Sequence, residues 1–124
     1  MLEVYSLNVT VPADSSVPLN NVTLKKGCTA TLSGTSTISL NKCGVYMVSV
    51  DSSSAAAATI QLYVNGVAQA DAQSTGTTPN FTKLVQVDES NSNCPCSSPT
   101  NIQIMNIGAA ATFTDFNVVV TKIV

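Results

Sequence analysis

The side chains able to carry chemistry in this chain are few and poorly matched to one another. Its 124 residues contain no His, Trp or Arg. Without histidine, neither a serine–histidine nor a cysteine–histidine nucleophile can be assembled. The carboxylates are Glu3, Asp14, Asp51, Asp71, Asp88, Glu89 and Asp115, and only Asp88 and Glu89 are adjacent. Adjacent residues on an extended strand point to opposite faces, so that pair is not preset for acid–base work. A carboxylate pair brought together through space is the one such arrangement left open. Acids at alternating positions, as a calcium loop needs, are absent, and so is a glycine-rich phosphate cradle. The chain is expected to be no enzyme and to hold no cofactor.

The four cysteines are Cys28, Cys43, Cys94 and Cys96. As zinc ligands they are badly spaced, because "CPC" leaves one intervening residue where structural sites use two to four. As disulfide partners they permit three pairings. Cys28 and Cys43 flank the segment "TATLSGTSTISLNK", which makes a cross-strand bridge between them geometrically reasonable. Four reduced thiols are the alternative, and spacing does not decide between the two.

Charge excludes further classes. Five lysines (Lys25, Lys26, Lys42, Lys83 and Lys122) face seven acids, for a net charge of -2. Only the first two lysines are adjacent, whereas a phosphate-binding groove needs clustered cations, so no nucleic acid partner is expected. No window approaches the roughly 18 apolar residues of a membrane helix, so no membrane partner is expected either. The start, "MLEVYSLNVTVP", has Glu3 where a secretion signal wants positive charge. Export by the ordinary secretory route is therefore not expected, and the Asn-x-Thr triplets at Asn8, Asn21 and Asn80 are read as chance.

The elements that would position these residues are all β. Apolar residues make up 44% of the chain and charged ones 10%, with Ser, Thr and Asn filling the difference. Residues 2–11 read as one strand, or two with a bulge, ending before Pro12. Short strands are expected near 22–26, 28–32 and 38–40. In "NKCGVYMVSVDSS" a glycine turn feeds a strand over 45–50 that is apolar on both faces. Such a strand is central to the fold or lies at a subunit interface. Residues 52–58 read as a helical turn, a loop or more strand. Residues 59–64 alternate, with Ile60, Leu62 and Val64 inward, and Tyr63 outward as a lone exposed aromatic or a contact residue. Asn65-Gly66 predicts a type I′ hairpin leading to a partner strand over 67–72. Further strands are expected at 81–88 and 101–107 and from 112 to the end, with loops at 73–80 and 89–100. Eight to ten short strands with no convincing helix predict an all-β, two-sheet antiparallel β-sandwich forming one domain over 1–124. Residues 1–12 are either its first strand or an attachment arm.

Three segments together resemble one family. "LNKCGVYMVSVDSS" is similar to the G-x-Y strand of the C1q/TNF-like jelly roll, here Gly44-Val45-Tyr46. "TIQLYVNGVAQA" is similar to the hairpin that follows it, and "ATFTDF" to the last strand, with Asp115 where the family often has glycine. The resemblance spans roughly residues 18–124 and implies jelly-roll topology. It also implies a tight homotrimer, with Tyr46, Val48, Tyr63 and Phe116 as the interface residues. Lacking a secretion signal or a collagen repeat, the chain resembles in character the head-decoration and head-fibre proteins of tailed bacteriophages. That likeness implies a structural virion protein, assembled in the host cytoplasm on the major capsid protein or another virion protein. Its loops at 73–80 and 89–100 would then form the exposed end. The alternative function is a receptor- or glycan-binding tip module of a phage fibre or surface adhesin.

Overall fold

The computed structural model describes residues 1–27, 29–87 and 100–124. In chain order these residues form β1 (Leu2–Val11), β2 (Ser15–Ser16), β3 (Asn21–Lys25), β4 (Ala30–Ser33), β5 (Thr37–Leu40) and β6 (Gly44–Ser54). They continue with β7 (Ala58–Val64), β8 (Val67–Gly76), β9 (Asn80–Val87), β10 (Thr100–Asn106) and β11 (Ala111–Lys122). One sheet has the order β3-β1-β11-β6-β9 and the other β4-β5-β10-β7-β8, with β2 paired to β10. Every pairing is antiparallel. Most spatial neighbours are distant in sequence, the signature of a jelly roll rather than a meander. The expected two-sheet antiparallel sandwich is the observed one.

Burial explains why β6 is central. Tyr46, Val48 and Val50 enter the core at 0–1% exposure, while Val45, Met47 and Ser49 face the other way. β11 lies on one side of β6 and β9 on the other. Toward the end of β6 the inward residues become Ser52 and Ser54, and the Ser52 hydroxyl donates to the Pro79 carbonyl at 2.7 Å. A buried hydroxyl with a partner costs little, which lets a serine-rich segment continue as strand. That resolves residues 52–58: three extend β6, and Ala58 opens β7.

β1 occupies an interior position between β3 and β11. Its alternation breaks midway, with Leu2, Val4 and Ser6 buried, then Asn8 at φ 52° and Val11 buried again. Positive φ is uncommon outside glycine, and asparagine tolerates it better than most residues. The Ser6 hydroxyl donates to the Pro18 carbonyl at 2.5 Å and accepts from the Asn20 amide at 2.9 Å, tying β1 to the approach to β3.

The β7–β8 hairpin turns on Asn65 (φ 50°) and Gly66 (φ 80°), the left-handed pair a type I′ turn requires. β8 runs further than its sequence suggests, to Gly76. Its polar end is held by the ladder to β7, including a 2.9 Å hydrogen bond between the Thr59 and Thr75 hydroxyls. Most of the expected 73–80 loop is therefore strand. The other expected loop, at 89–100, lies outside the described residues except for Thr100.

Candidate functional site

Two sheet faces point away from the core, and one of them belongs to the five-stranded sheet. Its residues follow from register. Leu84 on β9 lies beside Met47 on β6, and Met47 beside Thr121 on β11. The next row reads Thr82, Ser49, Val119, Glu3 and Leu24, and the one after it Asn80, Asp51, Asn117, Tyr5 and Asn21. On the other side of Met47 lie Val45 and Ile123, joined by a backbone hydrogen bond of 2.8 Å. One end of the face is therefore apolar, with Leu84 55% and Ile123 48% exposed, and the other end is hydroxyl- and amide-rich. An exposed apolar patch bordered on one side by polar residues is a feature of contact surfaces.

The structure places three of the four expected interface residues inside the sandwich. Tyr46, Val48 and Phe116 are 0% exposed within one chain and pack between the two sheets. Their place is the sandwich core, because strand alternation sends them inward and their neighbours Met47, Asn117 and Val119 outward. Tyr63 is half-buried on the outward face of the other sheet. The four residues do not come together on one surface. The residues that do share the outward five-stranded face, Val45, Met47, Leu84, Val119 and Ile123, were half legible, because the sequence of β6 showed two apolar faces.

The Tyr46 hydroxyl has an internal role. It donates to the Lys42 carbonyl at 2.8 Å and lies 3.3 Å from the Thr29 carbonyl and from the Lys42 amide. These contacts close the 41–44 turn. Beside it, Cys43 is disulfide-bonded. Cys28, Cys94 and Cys96, together with Asp88 and Glu89, lie outside the described residues.

Among the described residues no group of three or more His, Cys, Asp or Glu could hold a metal ion. No helix among them is long and apolar enough to cross a membrane. Asp71 on β8 pairs with Lys83 on β9 at 2.7 Å, across the gap between the two sheets' edges. The hydrogen bond from Lys83 holds the Asp71 carboxyl below the usual aspartate value. Ion pairs of this exposed kind are worth little to stability.

No family model matches the chain, and neither does any curated protein. Solved structures do match. The globular domain of zebrafish complement 1qA protein is similar over 99% of this chain and 96% of its own, with a TM-score of 0.75 at 10% identity. The fold is the C1q/TNF-like jelly roll. Murine APRIL is similar with a TM-score of 0.62 at 11% identity, covering 98% of each chain. The PRD1 vertex protein P5 is similar over 99% of this chain and 96% of its own, with a TM-score of 0.68 at 12% identity. At such identities the likeness is one of C1q/TNF-like fold alone.

Proposed function

We propose that this chain is a non-enzymatic structural protein that assembles as a homotrimer and decorates a virion, as a bacteriophage capsid-decoration or head-fibre component. The observation that carries assembly is the uncovered face of the five-stranded sheet, where exposed Leu84 and Ile123 surround half-buried Met47 and Val45. Copies related by symmetry bring identical residues close together, so a charged face would repel itself. In its rows from Met47 to Asp51 this one holds only two charges, Glu3, paired with Val119, and Asp51, two rows from Met47. The role on a virion is supported by the likeness in fold to a vertex protein and by a surface of Ser, Thr and Asn. Its attachment partner would be the major capsid protein or another virion protein.

Light scattering on a sizing column tests assembly. A trimer of the 12.8 kDa chain that persists in reductant is the expected result. A monomer at micromolar concentration would overturn it. Gold-labelled antibody against the chain tests the second half of the proposal. Label on particle heads released by lysis is expected, and unlabelled particles from cells that make the protein would refute it.

A further inference from the structure

The outward face of the six-stranded sheet carries a groove of about 350 Å³, lined by Thr37, Asn65, Gly66, Asn101 and Gln103. Its polar groups are held in place. Gln103 Nε2 donates to the Thr37 hydroxyl at 3.0 Å, and the Ser39 hydroxyl donates to Asn101 Oδ1 at 2.9 Å. Asn65 Oδ1 accepts from the Asn101 amide at 2.9 Å, and the Asn65 amide donates to the Asn101 carbonyl at 2.7 Å. Each side-chain amide is thus anchored through one end. Gln103 Oε1, Asn101 Nδ2 and Asn65 Nδ2 have no hydrogen-bond partner among the described residues. One acceptor and two donor groups, held on strand β10 and a two-residue turn, are left at the groove without a partner among the described residues.

Tyr63 lies next to the lining, on the same sheet face. It is paired with Gln103 across the β7–β10 ladder and is half-buried. No lining residue is charged.

The geometry points to a neutral saccharide as the ligand of this groove. Fixed amide donors and acceptors match vicinal hydroxyls, and Tyr63 beside the lining would meet the C–H face of a sugar ring that extends beyond it. The volume lies at the small end of ligand pockets, room for about one or two sugar rings. A nucleotide or sulfated ligand would leave its charge without a cation. A peptide strand would need a free sheet edge, and this groove lies on a sheet face. Preorganisation on strands keeps the entropic cost of binding low. Assembly through the five-stranded sheet leaves the groove open, and one chain supplies all of its lining.

The test is a magnetic-resonance titration of the isotope-labelled full chain with methyl glycosides of glucose, galactose, mannose and N-acetylglucosamine, each to about 50 mM. Sialic acid serves as the charged control. At least one neutral glycoside is expected to shift, saturably, the signals of Gly66 and Asn101 and the side-chain amides of Asn65 and Gln103. Gln103→Ala and Tyr63→Ala should each weaken that binding by about tenfold, while Leu84→Asp on the opposite sheet leaves it unchanged. Saturable shifts centred elsewhere, none from any neutral glycoside, binding of sialic acid alone, or full binding by a folded Gln103→Ala would each overturn the assignment. The wild-type shift map stands whether or not a variant folds. A monomer that binds a glycoside would sink only the trimer, and a trimer that binds none would sink only the groove.

Discussion

The rings of Phe113 and Phe116 meet edge to face in the core, with centroids 5.1 Å apart and planes at 83°. Three positions apart on a regular strand, they would point to opposite faces. Both are 0% exposed because the β11–β6 register shifts between Phe113 and Asp115, turning both side chains inward. Facing this irregularity on β1 is Asn8, whose flanking residues pair with Phe113 and Asp115. The pair is a packing device assembled by a paired distortion of two strands.

Phe116→Ala should therefore cost about 3–5 kcal/mol of folding stability, the usual penalty for emptying an aromatic site in a core. Urea unfolding measures it. A double-mutant cycle with Phe113→Ala should show coupling of about 0.5–1.5 kcal/mol, since the aromatic geometry contributes beyond area alone. A cycle that closes at zero would mean the two rings merely share a cavity.

Gly44 sits at φ 144°, and a Cβ there would lie 2.4 Å from the Val124 carbonyl oxygen. The clash is with backbone, so Gly44→Ala should destabilise by about 1–3 kcal/mol. Deleting Val124 from that variant should restore part of the loss, because it removes the obstructing oxygen and leaves the strained dihedral and the flexible Lys122 side chain, whose Cε would lie 2.7 Å from the Cβ. Differential scanning calorimetry of the two variants separates the terms.

Leu84→Asp places a charge on the apolar end of the five-stranded face, at a residue already 55% exposed. Within one chain it should change stability by no more than about 0.5 kcal/mol. In an assembly it would bury an unpaired carboxylate, and the sizing-column mass should fall to that of one chain. Met47→Lys, one strand over, should act in the same direction. Unchanged mass in both variants would remove this face from the interface.

Asp71 titrates below the ordinary value near 3.8 because Lys83 donates a hydrogen bond to its ionised form. A carboxyl lowered in the folded state favours folding above the unfolded-state pKa, and the gain disappears as pH falls through the folded pKa. The contribution is thus flat from about pH 5 upward and is lost only in acid. Carboxyl-carbon titration of Lys83→Met should return the midpoint toward 3.8, with a small loss of stability at neutral pH, where the contribution is fully present.

How much could be read in advance depended on how local the signal was. The hairpin at Asn65-Gly66 was legible because two residues needing positive φ make it almost unaided. The reach of β8 was not, because Gln73, Ser74 and Thr75 have weak strand preference and are held by pairing with β7. The hydroxyl partners of Ser6 and Ser52 lie in loops brought close only by folding. The groove was missed for the same reason. Thr37, Asn65 and Gln103 are scattered in sequence, and only the β5-β10-β7 strand order brings them together.

By itself the sequence determined that this is an all-β sandwich, that its chemistry would not run through histidine, and that β6 has two apolar faces. Those conclusions rest on composition, period-two alternation and turn residues, which act over a few positions. Only the tertiary structure decided which face of β6 is core and which is surface. Alternation shows that two faces differ, and only the second sheet shows which of them is covered. Tyr46, Val48 and Phe116 went to the covered side, leaving Met47, Leu84 and Ile123 on the uncovered one.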